Sequence, residues 1–242
     1  MFSLVSARDA ARLRAAATPE SACLFSCLPS STEGTRLSDA ALTCAIGLRL
    51  GCDVAAATTC RCGAELDRLG DHALTCNRGS GRHARHSEIN SRIRRALANA
   101  GVAATLEPVG MDLTNGKRPD GATILPFARG LEMAWDATVS HTCAPTYIPS
   151  TAGSAGAAAE IAEAKKFRKY DSLHDRADFR AVGLETLGAF VTSAKALLDE
   201  IGSRIQNRSG RPGERARLYR SIAAAIQIGN AACILEAHSR PH

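Results

Sequence analysis

The sequence predicts an α/β fold built on a mixed sheet, and three observations carry that prediction. LEMAWDATV alternates, with Leu131, Met133, Trp135, Ala137 and Val139 on one face and Glu132, Asp136 and Thr138 on the other, the period of a strand. Three strand-like segments follow one another from Val102 with no helical pattern between them, as in an antiparallel meander. A helical segment comes next and allows a crossover to a fourth strand.

Taken in order, the first fifty residues read as helical and carry no evident chemistry. One short helix is expected over Ala10 to Ala17, and a better one from Ser38, with Ser38 as N-cap, Asp39 in the first turn and Gly51 as stop. Pro29 to Gly34 is turn chemistry. Beyond a cysteine cluster at Cys60 to Cys76, Ile89, Ile93, Ala96 and Leu97 recur at helical spacing and Gly101 closes that helix. Val102 to Pro108 reads as a strand, and GKRPDGATIL as a turn and a second strand from about Asp120. The small-residue linker PSTAGSAGAAA leads to a helix from about Ala157 to Leu173, then a strand in AVGLETLGAF. Two helices complete the chain, one carrying Ala194, Leu197, Leu198, Ile201 and Ile205, the other Leu218, Ile222 and Ile226, with RSGRPG between them.

Composition narrows the function classes. Hydrophobic residues are 45% and charged residues 22% of 242, a globular balance. Aromatics are only 4%, so the core is expected to rest on Leu, Ile, Val and Ala. The net charge is +6, with basic residues clustered in Arg78 to Arg95, Lys117 and Arg118, Lys165 to Lys169 and Arg208 to Arg220. That balance favours a polyanionic partner, DNA or RNA. No run of about 18 apolar residues is evident, so no membrane partner is expected. MFSLVSARDA is broken by Arg8 and Asp9 and is too short for a signal segment. An intracellular location follows, where cysteines mean metal more often than disulfide.

CRCGAELDRLGDHALTC presents Cys60, Cys62, His72 and Cys76, four soft or borderline ligands within one short span. They match a tetrahedral zinc site, and a full set of four makes the role structural. Gly63 and Gly70 permit the tight turns. The single residue between Cys60 and Cys62 is expected to strain the knuckle backbone, and Cys52, His83 and His86 stand as substitute ligands. Cys23 and Cys27 read as helix-face cysteines.

Two carboxylates and two lysines suggest a second site. Asp120 sits in RPDG and Asp136 in mid-strand, and neighbouring antiparallel strands can bring both onto one sheet face. Mg²⁺ favours such oxygen ligands together with substrate phosphate, and would acidify a bound water. Glu88 on the preceding helix could add a third oxygen. Lys166 and Lys169, at i and i+3, could supply a cation beside the developing phosphate charge, and Tyr170 a hydrogen bond. The same residues admit a plainer account: Asp120 as a turn residue, and Lys165, Lys166 and Lys169 as a solvated face pairing with Glu160 and Glu163. Asp136 resists it, because an acid in an apolar strand is unfavourable without a purpose.

CRCGAELDRLGDHALTC, the Arg82 to His86 segment, RPDG, WDATV and AKKFRKY, in that order, resemble the C-terminal restriction-like endonuclease region of non-LTR retrotransposon polyproteins. There a Cys-Cys-His-Cys knuckle precedes a PD-(D/E)xK-type nuclease. The likeness runs from about Leu37 to the C-terminus and implies a restriction-endonuclease-like α-β-β-β-α-β core. It also implies Asp120 and Asp136 as Mg²⁺ ligands, and Lys169 or Lys166 as the catalytic cation. In the wider superfamily the lysine lies two residues after the second carboxylate. Thr138 occupies that place here, so the lysine must come from the helix. The expected divisions are 1–51 (a helical segment, the remnant of a polyprotein linker), 52–82 (the zinc knuckle), 83–207 (the nuclease core) and 208–242 (a basic turn and helix). The expected function is Mg²⁺-dependent nicking of nuclear DNA, with an inactive nucleic-acid-binding remnant as the alternative. Glu185 is expected to be a structural polar residue rather than a ligand.

Overall fold

The computed structural model describes residues 5–111, 116–173 and 175–238. Residues 1–4 of the opening stretch and the last four of the C-terminal segment lie outside them. Three helices come first: α1 (Ala7–Ala16), α2 (Pro19–Ala22) and α3 (Asp39–Leu50). Ser6, Thr18 and Ser38 cap them by accepting from the amides of Asp9, Ser21 and Ala41. Gly51, at φ +76°, terminates α3 as its position after the last apolar residue implies.

A hairpin of β1 (Thr58–Thr59) and β2 (Glu65–Leu66) and the one-turn helix α4 (Asp71–Thr75) follow. Next come α5 (Ser80–Asn99), β3 (Ala104–Leu106), β4 (Gly121–Ala128), β5 (Leu131–Ser140), the short α6 (Ile148–Thr151), α7 (Ala157–Lys169), a 3-10 turn at Asp171–Leu173 and β6 (Asp178–Glu185). The long helices α8 (Thr192–Ser209) and α9 (Glu214–His238) end the described chain. The four-stranded sheet has the order β3-β4-β5-β6. Its first three strands are antiparallel, and β6 runs parallel to β5 after the crossover through α7. The mixed α/β architecture therefore agrees with the sequence, as does the order of elements from α5 onward except for the short α6, which falls at the start of the segment expected to be a linker.

Several boundaries differ for physical reasons. The fourth strand begins three residues earlier, at Asp178, and stops at Glu185. The chain then turns at Gly188, whose φ is +91°, and returns so that Phe190 bridges Leu184. The apolar LGAF run is buried without being strand. Pro126 lies in β4 because β3 pairs only with Gly121 to Thr123, leaving that end of β4 an edge on one side.

The sheet carries the core on one face. Ile89, Ile93 and Leu97 of α5, Met133, Trp135 and Ala137 of β5, Val182 and Leu184 of β6, and the apolar stripes of α8 and α9 form one cluster. The other face is covered as well: Ala134 meets Tyr170, Leu173 and Ala177. Hence β5 is buried on both sides from Met133 to Ala137, where simple alternation leads one to expect a half-exposed strand. A second cluster joins Ala15, Ala41 and Leu48 to Cys60, Cys76, Leu187, Cys233 and Ile234. Helices α1 and α3, the knuckle and α9 thus share one core.

Helix α9 is long and apolar enough to cross a membrane by length and composition alone. Its apolar window is 67% buried, because α3, α5 and α8 pack around it. Burial in a core places the same demand on composition as lipid does.

Gly121 lies under the indole of Trp135, where a Cβ would come within 2.1 Å of the ring. Gly121→Ala should therefore destabilise the chain by about 1–3 kcal/mol through overpacking. Urea unfolding followed by Trp135 fluorescence would measure it.

Candidate functional site

The knuckle is built from two tight turns. The amide of Cys60 donates to the Ala64 carbonyl and that of Gly63 to the Cys60 carbonyl, both at 2.8 Å. Gly63 takes φ +91° with open space around it, so the one-residue Cys60–Cys62 spacing is accommodated with the left-handed conformation on a glycine rather than on Arg61. Gly70, at φ +76°, turns the chain into α4. Asp67 then accepts from the amides of Asp71 (3.0 Å) and His72 (2.7 Å), which caps the helix and fixes His72. Cys76 follows at the helix end.

The outcome is a cluster in which Cys60, Cys62, His72 and Cys76 offer ligand atoms all within 4.8 Å of one another. The sulfurs of Cys60 and Cys76 are 3.6 Å apart, and the Cys62 sulfur is 3.3 Å from His72 Nε2. Zinc–sulfur bonds of about 2.3 Å in a tetrahedron give ligand–ligand edges of about 3.8 Å, so the donor set fits such an ion. The spacing is far from the roughly 2.05 Å of a disulfide. A backbone hydrogen bond from Ala64 lowers the Cys62 thiol to about 7 against the cost of burial, with its neighbours Cys60, Cys76 and His72 adding to the effect. Burial raises that of Cys60. The cluster could bind a metal such as zinc. Cys52, His83 and His86 are not needed for it. Cys23 and Cys27 lie at the end of α2 and in the turn beyond it rather than on a helix face, and their thiols donate to the Glu20 and Leu24 carbonyls.

A buried polar relay ties the knuckle to the sheet. Asp71 accepts two hydrogen bonds from Arg8, at 2.7 and 2.8 Å, and lies 3.0 Å from His141 Nε2 just past the end of β5. The other His141 nitrogen meets Thr186 Oγ1 at 2.9 Å, beyond β6.

At the sheet, the register pairs Gly121 with Trp135, so Asp120 lies beside Asp136 at the mouth of the β4–β5 pair. The next residue of β5, Ala137, has no partner from β4. The Asp120 carboxylate takes the Ala137 amide at 2.7 Å, and His86 of α5 lies 3.2 Å from the Ala137 carbonyl and 2.8 Å from Asp120. Burial alone would raise the Asp120 carboxyl, but the hydrogen bond and charge of His86, with the Ala137 amide and Asn90, hold it below its ordinary range. The hydrogen bond to Asp120 raises His86 against its own burial. Asn90 receives the Trp135 indole N–H at 3.0 Å and continues the network.

Asp136 is 1% exposed. Lys166 of α7 lies in direct ionic contact with its Oδ1, without the alignment of a hydrogen bond, and Lys169 is 3.7 Å from Oδ2. Lys169 also donates to the Tyr170 hydroxyl, which donates in turn to the Arg118 carbonyl, both at 2.6 Å. Asp120, Asp136, Lys166, Lys169 and Tyr170 are thus drawn to one region from three elements. Glu88 is not: it pairs with Arg92 at 2.7 Å and Arg95 at 3.2 Å, on the flank of α5 facing Gly34 and Arg217. Glu185 is fully buried and accepts from the amide of Ala158 at 2.9 Å and from Thr142 at 3.1 Å. It caps α7, whose own N-cap is Gly156.

His86 and Asn90 went unassigned in the sequence as partners of the carboxylates. Their signal was present as a polar pair at i and i+4 on the helix that also carries Ile89 and Ile93, the pattern of side chains facing a common neighbour. Compared with known proteins, the chain matches no family model and no curated protein.

Lys166→Met should leave the Asp136 charge uncompensated and cost about 3 kcal/mol, the lower end for breaking a buried pair because Lys169 remains nearby. Chemical denaturation would read this, and a loss under about 1 kcal/mol would contradict it. Metal analysis of protein purified without added chelator should return one zinc per chain. Cys76→Ser should lower that content at least several-fold and lower Tm with it.

Proposed function

We propose that the chain is a metal-dependent DNA endonuclease of retrotransposon origin acting in the nucleus, with a restriction-endonuclease-like core and a structural zinc knuckle. The observation that carries this reading is the meeting of Asp120 and Asp136, from neighbouring strands, with two lysines from the crossover helix. A carboxylate held in the core of a sheet beside cations on an accessible edge is the arrangement that phosphodiester hydrolysis needs. Mg²⁺ held by Asp120 and Asp136 would polarise the scissile phosphate and lower the pKa of a bound water. Lys166 and Lys169 would then face the developing phosphate charge. His86 holds Asp120 in place through its hydrogen bond. The product would carry a 3′ hydroxyl suited to priming.

One observation favours a second reading. Both carboxylates already have cationic partners within the chain, Lys166 for Asp136 and His86 for Asp120. An ion-paired lattice of this kind also suits a module that binds nucleic acid through its basic faces and no longer cuts it.

Nicking of supercoiled plasmid by zinc-loaded protein separates the two. The endonuclease reading expects cleavage in Mg²⁺ or Mn²⁺, none in EDTA, and a fall of about 10²–10³-fold in Asp136→Asn and Asp120→Asn. Equal nicking by Asp136→Asn sinks it. Retarded DNA with no cutting in any metal supports the binding module.

A further inference from the structure

A cleft of about 480 Å³ opens between the knuckle end, α5, β5 and α7, lined by Asn77, Arg82, His83, Arg85, His86 and Lys166 with the strand residues Ala137 to Val139. No carboxylate is among its described lining residues. Two of these groups face carboxylates, Lys166 facing Asp136 and His86 facing Asp120. The two arginines face none among the described residues. Arg82 donates to the Thr75 carbonyl at 2.9 Å and to the Asn77 side chain, both neutral.

Arg85 is the more demanding case. It is 2% exposed, its Nη1 donates to Asn230 at 2.7 Å, and its Nε has no hydrogen-bond partner. No acidic side chain pairs with it among the described residues. A buried guanidinium stays charged, so this position carries a positive charge that no acidic side chain offsets among the described residues. Its stem rests on α9 at Gly229, where a Cβ would come within 2.4 Å of it, and the residue lines the cleft.

We propose that this cleft is a subsite for a backbone phosphate of nucleic acid flanking the one at Asp136, an inference that rests on the function proposed above. Arg82 and His83, at the more open end, are the direct donors. Arg85 supplies fixed charge from behind, effective because it acts through protein rather than water. The subsite also gives the knuckle a role in binding, since Thr75 and Asn77 at its end orient Arg82.

The test is fluorescence anisotropy of a labelled 20-base-pair duplex with zinc-loaded protein, without Mg²⁺, from 50 to 200 mM NaCl. Wild type is compared with Arg82→Gln/His83→Gln, Arg85→Gln and the control Arg204→Gln, whose arginine pairs with Glu200 and does not line the cleft. The double variant should bind about fivefold more weakly, with a log–log salt slope shallower by about 1, as expected when one fewer phosphate is neutralised. Arg85→Gln should weaken binding in the same sense, and the control should not. If Arg85→Gln does not fold, the double variant decides. Unchanged affinity and slope in the double variant overturn the subsite while the nucleic-acid reading stands. Weaker binding in Arg85→Gln alone also overturns it, marking Arg85 as structural. Absence of duplex binding by wild type removes both.

Discussion

Asp136 places a carboxylate on a strand with protein on both faces, and much of the architecture around the sheet answers that constraint. A lone charge at 1% exposure is untenable, so a cation must be brought to it. The crossover helix α7 does this through Lys166 and Lys169 in its last two turns. The opposite end of α7 is held by Glu185 of β6, which accepts its first amides in place of the cap that Gly156 cannot provide. Two acids on adjacent parallel strands therefore grip one helix at both ends, Glu185 at the N-terminus, where the helix dipole favours an anion, and Asp136 through the lysines that the dipole favours in the last turn. The position of α7 sets where Tyr170 falls, and Tyr170 covers the second face of the sheet.

The knuckle is joined to this frame by more than apolar packing. Asp71, one residue before His72, is held by Arg8 and His141, and His141 reaches Thr186 at the end of β6. Cys60 and Cys76 pack with Cys233 and Ile234 of α9, the helix that also covers the main core. A metal held by the cluster would accordingly be coupled to the integrity of the core, since the segment that presents Cys60, Cys62, His72 and Cys76 also supplies Asp71. The N-terminal helices, though without chemistry of their own, complete this second cluster and position Arg8.

Much of the fold was legible because local signals agreed with it. Ser38 and Gly51 bounded α3, the Ile89–Leu97 spacing located α5, and the alternation around Trp135 located β5. The LGAF run misled because apolar composition reports burial and not backbone geometry. The membrane-like composition of α9 is ambiguous for the same reason, since a helix surrounded by three others and one surrounded by lipid need similar side chains. At the site, Lys166 and Lys169 were legible as a pair and Asp136 as an anomaly. Glu88 was misplaced because a helix residue's direction depends on which stripe of that helix is buried, and the stripe of α5 turns His86 and Asn90 toward the strand mouth while Glu88 faces Arg92.

By itself the sequence determined the order of the main elements from α5 onward, the mixed character of the sheet and the four Cys and His residues that the knuckle brings together, because spacing, caps and residue types are local properties. Tertiary structure alone decided the rest. It put His86 on Asp120, because β4 starts at Gly121, opposite Trp135 and two residues short of covering Ala137, and the open strand edge needs hydrogen-bond partners. It put Glu185 at the start of α7 and left Arg85 buried with no acidic partner among the described residues. Each of these depends on which groups burial leaves without water, and that is settled only when distant segments close around them.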